Sequence, residues 1–354
     1  MSSISKTPQG RYRVLWRESG VKRQKNFKTL AEAKRFSALM ELSPEAKRAH
    51  VSLAALLEEY RDKVTPKKKG ARNEALKIDC LARRPFAQKK LADISSADIV
   101  EYIEQRAQEK STKYEGLISP STIIKEINIL SGVFAYGIKK GLLVKNPVKG
   151  VKRPKAPEHR ERVASEDDIA RLLQCGGWDG ESVPDNLIQL TLAAFLFACR
   201  TGMRSGEILA IEEAWIDGRV IHLPKEATKT DSHRDVALSK DALRILDLVR
   251  ARGDKPQIFG ALSNASRDAL WRRVRDRAGL GPVTDSEGRV IKEGLNFHDS
   301  RATFATWAAS PDPKTGAPRL DLLALARQTG HKNLKHLQWY YRASAEDIAN
   351  RLDQ

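Results

Sequence analysis

Gly330-His331-Lys332-Asn333-Leu334-Lys335-His336-Leu337-Gln338-Trp339-Tyr340-Tyr341-Arg342 places a tyrosine phenol nine residues after a Gly-His pair. Two upstream stretches give that spacing its meaning: Thr201-Gly202-Met203-Arg204-Ser205-Gly206-Glu207 and His298-Asp299-Ser300-Arg301. Together the three supply a nucleophile, two guanidiniums, two imidazoles and a carboxylate. Attack on a phosphodiester without a metal needs a set of this kind.

The rest of the 354-residue chain suits a polyanionic substrate. Lys and Arg number 63 against 45 Asp and Glu, a formal charge of +18, while 41% hydrophobic and 31% charged residues indicate globular domains. No apolar run approaches the ~18 residues of a membrane span, which leaves nucleic acid as the expected polyanion and no membrane partner. Cys80, Cys175 and Cys199 are odd in number and lack metal-ligand spacing, so reduced thiols and a cytoplasmic setting are expected. No Gly-rich phosphate loop, zinc-ligand set or internal repeat is visible, so neither metal nor cofactor is expected.

The first fifty residues hold twelve Lys or Arg against four Asp or Glu. Alternation puts Tyr12, Val14 and Trp16 on one strand face and arginines on the other; residues 21–27 return as a second basic strand, and Thr29-Leu30-Ala31-Glu32 opens a helix as a capping box. Arg11, Arg13, Lys22, Arg23 and Lys25 are the candidate DNA contacts of this module, residues 1–49, since a basic strand pair fits a major groove. Residues 50–144 read as helices, with Ser52, Ser96 and Ser119-Pro120 as starts and Ile123, Ile127, Leu130, Phe134 and Ile138 along the fourth helix. Lys67, Lys68 and Lys69 form a basic loop. Residues 145–163, with Pro147, Pro154 and Pro157, read as a basic linker with little to bury; Lys152, Arg153 and Lys155 are its candidate phosphate contacts.

Residues 164–354 form the third region. Ser165 caps a helix, Leu187 to Cys199 is apolar nearly all round and ends at Gly202, and Val220–Pro224 and Arg234–Leu238 flank a polar hairpin tip holding Lys229. A helix over 297–308 would set His298 and Arg301 side by side. The expected fold class is therefore mainly α with small β-sheets (α+β). Beyond Tyr340, residues 343–353 can form a short helix with Ile348 and Leu352 on one face, too slight to stand alone.

Each motif alone has an ordinary reading: a solvated His-x-x-Arg pair, a surface Arg204–Glu207 ion pair, aromatic packing at 339–341. In this order, however, the residues resemble the tyrosine recombinases, or phage-type integrases, over roughly 160–354. Ser119-Pro120-Ser121-Thr122-Ile123-Ile124 and Lys145-Asn146-Pro147-Val148 resemble that family's helical core-binding domain, and the first fifty residues, more loosely, its arm-binding module. The resemblance implies catalytic roles for Arg204, Lys229, His298, Arg301, His331 and Tyr340, with Glu207 in support. Departures from the family pattern are Ala237 where proline is usual, Thr329 for the commoner leucine, and Arg342 where histidine is frequent. Tyr341 competes with Tyr340 as nucleophile; the spacing from His331 favours Tyr340.

The expected reaction is cleavage and rejoining of DNA through a 3′-phosphotyrosyl intermediate, without metal or ATP. Two arginines stabilise the pentacoordinate phosphorus. His298 is the candidate base and His331 donates to a phosphate oxygen. Lys229 protonates the departing 5′ oxygen, and Glu207 orients Arg204 or His298. Expected partners are double-stranded DNA at core and arm attachment sites and a homotetramer on paired sites, formed from free monomers. A DNA-bending protein and a directionality factor are candidate accessories, and the bacterial host cytoplasm, on the nucleoid, is the expected location. A type IB topoisomerase-like relaxing enzyme and a catalytically inactive DNA-binding regulator are the alternatives.

Overall fold

The computed structural model describes residues 3–8, 10–18, 21–41, 51–111, 116–156, 160, 162–228, 232–253, 256–286 and 290–341. The chain divides into two units, residues 1–158 and 159–354. It is mainly helical, with small antiparallel sheets.

In the first unit, β1 (Ser3–Lys6), β2 (Tyr12–Glu18) and β3 (Val21–Phe27) form an antiparallel sheet in that order. β1 was not expected: Ser-Ile-Ser-Lys is too short to show a period. The capping box at α1 (Leu30–Glu41) is present, with Thr29 N donating to Glu32 Oε2 and Glu32 N to Thr29 Oγ1, each at 3.2 Å. Phe36 of α1 packs edge-on against Trp16, ring centroids 5.1 Å apart, on the face that carries buried Val14.

Among the described residues four further α-helices follow: α2 (Leu53–Lys63), α3 (Ala71–Ala82), α4 (Ser96–Gln108) and α5 (Pro120–Lys139). Ser52 and Ser119 cap α2 and α5 through their side chains, as expected, whereas Ser95 rather than Ser96 caps α4. Leu53, Leu56, Leu57, Ile78, Ile99, Ile127, Leu130 and Phe134 meet in one core. A carboxylate is buried beside it, and its charge is fully answered: Glu126 accepts from Tyr102 Oη at 2.7 Å and from Arg106 Nε and Nη2 at 3.0 and 2.9 Å.

The 145–163 stretch has more to bury than its composition indicated. Asn146 and Val148 are buried in the helical unit, Asn146 Nδ2 donating to Ser131 O at 3.0 Å and its Oδ1 accepting from Val148 N at 3.0 Å. Arg160 instead belongs to the second unit, where it grips Asp299 with two bonds of 2.8 and 2.7 Å. Arg162 pairs there with buried Asp168 at 2.9 Å. These two charges are spent internally.

The second unit is built on α7 (Leu187–Thr201), most of whose residues are buried. α6 (Glu166–Gly176), capped by the Ser165–Asp168 box, packs against α7, as do α9 (Lys240–Arg250), α10 (Asn264–Arg277) and α11 (Asp299–Ala309). Between them lie short α8 (Ser205–Leu209) and the antiparallel sheet β4 (Ile216–Asp217), β5 (Val220–Leu223) and β6 (Arg234–Ala237). β7 (Val283–Thr284) and β8 (Val290–Lys292) form an unexpected exposed hairpin; like β4 they are two or three residues long, below the reach of a period-two signal. α12 (Leu322–Thr329) packs on α11, and Phe304, Ala308, Leu325 and Leu337 make a smaller core on which Tyr340 and Tyr341 rest.

Candidate active site

Two glycines let the site close. Gly202 ends α7 and Gly330 ends α12, both left-handed, with φ of 66° and 69°. A Cβ at Gly202 would stand 2.5 Å from Phe304 Cδ1, and one at Gly330 would stand 2.9 Å from Arg234 Cδ. Chain direction and close packing therefore both exclude a side chain there.

Three guanidiniums converge on the C-terminal end of α12. Arg234 Nη1 donates to Gln328 O at 2.6 Å, Arg301 Nη2 to Thr329 O at 2.5 Å, and Arg204 Nη2 to Gly330 O at 3.4 Å. Successive carbonyls at a helix C-terminus carry its partial negative charge and lack intrahelical donors, so they can hold buried cations. Arg301 also donates from Nη1 to Gly202 O at 2.5 Å and is only 5% exposed. Burial lowers its pKa to about 9, and the Arg204 and Arg234 charges push the same way. It remains cationic at neutral pH.

Glu207 is 2% exposed and joins two of the three. Its Oε1 accepts from Arg204 Nη1 at 3.0 Å, its Oε2 from the Arg204 backbone N at 2.9 Å, and it ion-pairs with Arg234 Nη2. Its orienting partners are thus Arg204, one of the two expected, and Arg234, which sequence reasoning missed. The signal was present in the strand: β6 alternates Arg234 with buried Val236, which turns the guanidinium inward.

Gln328 locks β6 to this helix end. Its Oε1 accepts from Ala237 N and its Nε2 donates to Ala237 O, each at 3.0 Å, with a second Nε2 bond to Thr201 O at 3.1 Å. Proline at 237 would have no N–H to give, so the departure to alanine has a structural counterpart.

His331 lies beside Arg301, whose Nη2 is 3.3 Å from both ring nitrogens. Burial, then Arg301 and Arg204, lower its pKa to about 3, so the ring is neutral. Tyr340 is half-buried; burial raises its pKa, opposed by the nearby Arg301 charge, which favours the phenolate. Tyr341 differs: its phenol donates to Leu320 O at 2.7 Å and burial raises its pKa to about 12.

His298 is the residue before α11 rather than inside it, because Asp299 starts the helix and its carboxylate accepts from Asn296 N at 2.7 Å. His298 is exposed and Arg301 buried, so the expected side-by-side pair becomes an outer imidazole and an inner guanidinium. Lys229 and residues 342–354, with Ile348 and Leu352, lie outside the described residues.

The candidate DNA contacts divide. In the β2–β3 register Arg23 faces Trp16 and Lys25 faces Val14, which puts both on the α1 side of the sheet, while Arg13 faces Asn26 on the other. Lys25 Nζ stands 5.2 Å from the Phe36 ring centroid, a cation–π contact, so the five basic residues do not share one face. Arg11 is exposed. Lys67 and Lys69 are exposed, but Lys68 is a structural cation, donating to Glu74 Oε1 at 2.6 Å and Tyr60 Oη at 2.9 Å. Lys152, Arg153 and Lys155 are exposed, with Arg153 Nη1 donating to Asn128 Oδ1 at 2.6 Å.

Comparison with known proteins agrees with this arrangement. Residues 165–347 match the model of the phage integrase family. A Haemophilus influenzae protein with integrase/recombinase as its provisional name is 31% identical, over 97% of this chain and 87% of its own. The shufflon-specific DNA recombinase of Escherichia coli is 29% identical, over 88% of this chain and 74% of its own. Among solved structures, a lambda integrase dimer bound to a COC′ core site matches the fold with a TM-score of 0.63 at 19% identity, covering 96% of this chain and 94% of that one. The chain belongs to the phage integrase family, the tyrosine recombinases.

Proposed function

We propose that this chain is a site-specific DNA recombinase that cuts and reseals strands through Tyr340. The observation that carries the reading is the gathering of Arg204, Arg234 and Arg301 on three consecutive carbonyls, in the part of the chain that presents Tyr340. Tyr340 Oη attacks phosphorus, the bond to the 5′ oxygen breaks, and a 3′-phosphotyrosyl bond forms. His298 takes the phenolic proton and Lys229 gives one to the departing 5′ oxygen. Arg204 and Arg301 hold the non-bridging oxygens. A phosphodiester is exchanged for another phosphoester, so the 5′ hydroxyl of a partner strand reverses the step without ATP.

The partner is double-stranded DNA. Related structures include a lambda integrase tetramer bound to a Holliday junction, which supports assembly of four copies on paired sites from free monomers, with residues 343–353 docking on a neighbour. Residues 1–49 are read as an arm-site module and 50–144 as the core-site module, joined through 145–163 to a catalytic region from 164. A DNA-bending protein and a directionality factor would regulate the outcome, in the host cytoplasm on the nucleoid.

A suicide substrate with a nick beside the cleavage site tests the reading. A recombinase accumulates a covalent protein–DNA complex, and transfers strands between two labelled sites. Relaxation of supercoils with no transfer would instead mark a topoisomerase, and absence of any covalent complex an inactive regulator.

A further inference from the structure

Arg160 spends a whole guanidinium on one short turn. Its Nε and Nη2 donate to the two carboxylate oxygens of Asp299, at 2.8 and 2.7 Å. Nη2 also donates to Gly294 O, and Nη1 pairs with Glu293. Gly294 and Asp299 flank the segment that carries His298, so one side chain holds both of its ends. Asp299 is buried, and its carboxylate also accepts from Asn296 N at 2.7 Å, which closes the turn across Phe297 and His298. The same stretch of chain is tied to α11 a second time. Ala164 N donates to Thr303 Oγ1 at 2.9 Å, and that hydroxyl donates to Asp299 O at 2.9 Å.

We propose that Arg160 is a positioning residue for strand cleavage, clasping the turn 294–299 so that His298 stands where it can take the phenolic proton of Tyr340. His298 is exposed on this turn, so the backbone beneath it decides where the imidazole can reach. A general base works only within a hydrogen-bond distance of roughly 2.6–3.2 Å from the proton's donor, which makes the placement of the turn part of the chemistry. Answering the Asp299 charge would take one cation of any kind. Holding both carboxylate oxygens and a carbonyl together takes the planar fork of arginine.

The inference rests on the reading of His298 as the base, and the test sets cleavage against stability. Arg160→Met keeps the stem, removes the fork and strands a buried carboxylate, so thermal stability should fall. Single-turnover formation of the covalent complex should slow by on the order of 10- to 100-fold, the scale for a misplacement of about 1 Å. Combining Arg160→Met with Asp299→Asn removes both charges, while the asparagine can still accept from Asn296 N. Stability should then recover, because no buried charge is left unanswered, but cleavage should stay slow. Arg160→Lys should fold like wild type and cleave at an intermediate rate. Core-site DNA affinity should be unchanged throughout. Cleavage that recovers together with stability in the double variant, or a wild-type rate in Arg160→Lys, overturns the proposal and leaves the pair a role in folding alone. A loss of DNA affinity as large as the loss of rate also overturns it, since Arg160 would then be a phosphate contact. If Arg160→Met does not fold, the double variant and Arg160→Lys decide. In full-length protein with ¹³C-labelled histidine, the His298 ring resonance, assigned by its loss in His298→Gln, should move in the double variant; an unmoved resonance overturns the clasp. Wild-type cleavage by His298→Gln would sink the base assignment and leave the displacement of the turn standing.

Discussion

Tyr341 donates its phenolic hydrogen to the carbonyl of Leu320 at 2.7 Å, whereas its neighbour Tyr340 comes under the charge of Arg301. Adjacent phenols in one aromatic run thus have different duties. Tyr340→Phe should abolish the covalent complex and recombination while leaving DNA affinity nearly intact. Tyr341→Phe should keep substantial cleavage and cost about 1 kcal/mol of stability, the net value of one hydrogen bond. Gel detection of the covalent complex and urea unfolding of both variants check the assignment; a lethal Tyr341→Phe would reverse it.

The arginines should separate by phenotype. Arg204→Ala and Arg301→Ala should each slow cleavage by on the order of 10² or more, the scale for removing one oxyanion donor, with lysine rescuing poorly because an ammonium cannot fork onto two oxygens. Arg234→Ala should show first as lost stability, on the order of 3 kcal/mol, since it strands one side of a buried ion pair with Glu207. Single-turnover cleavage and thermal unfolding on the same preparations distinguish the two classes. EDTA should leave every rate unchanged, and a magnesium-restored loss would contradict the metal-free mechanism.

Much of this frame was legible beforehand, because caps and turns are local chemistry. Ser52, Ser119, Ser165 and Gly202 stand where a helix must begin or end, and each does so. What stayed hidden has two physical causes. Strands of two or three residues, such as β4, β7 and β8, are too short for alternation to register, and β1 carries a single apolar residue, Ile4. And side-chain partners decide whether a charge is free: Lys68 reads as a phosphate contact until Glu74, six residues on, is seen beside it, and Arg160 is held by Asp299 far along the chain. The acceptors that gather the arginines are main-chain carbonyls, which no letter of the sequence announces.

Removal of residues 1–50 should leave core-site binding and covalent cleavage of a core substrate, because Arg204 and everything after it remain. Binding to separate accessory sites should be lost, together with part of the salt dependence of full-site binding. Within the module, Arg13→Ala should weaken accessory binding more than Lys25→Ala, since Lys25 is engaged with Phe36. Footprints of a full attachment site at several salt concentrations test this, and an unchanged footprint after truncation would make the sheet a solubilising face.

His331 should leave a mark on acid stability. Its folded pKa of about 3 lies below the ordinary value of 6.5, so between these limits the unfolded chain binds more protons. Its contribution is therefore present above pH 6.5 and is lost as the pH falls towards 3. His331→Gln lacks this term, and its urea midpoint should fall less steeply than that of wild type between pH 7 and pH 4. Parallel curves would show that the imidazole titrates normally.

The strip Gln328-Thr329-Gly330 works as a ruler. Neighbouring Cα atoms of a trans chain are 3.80 Å apart. Arg234, Arg301 and Arg204 arrive from three separate segments, yet each grips the next mark along the same peptide. Their mutual spacing is thus metered by covalent geometry, which neither a flexible side chain nor a mobile loop can stretch. Repulsion among three cations is borne by a rigid backbone, and the charges stand at measured intervals before any DNA enters. A single residue inserted into this strip would leave every side chain of the site intact and put the scale out of register.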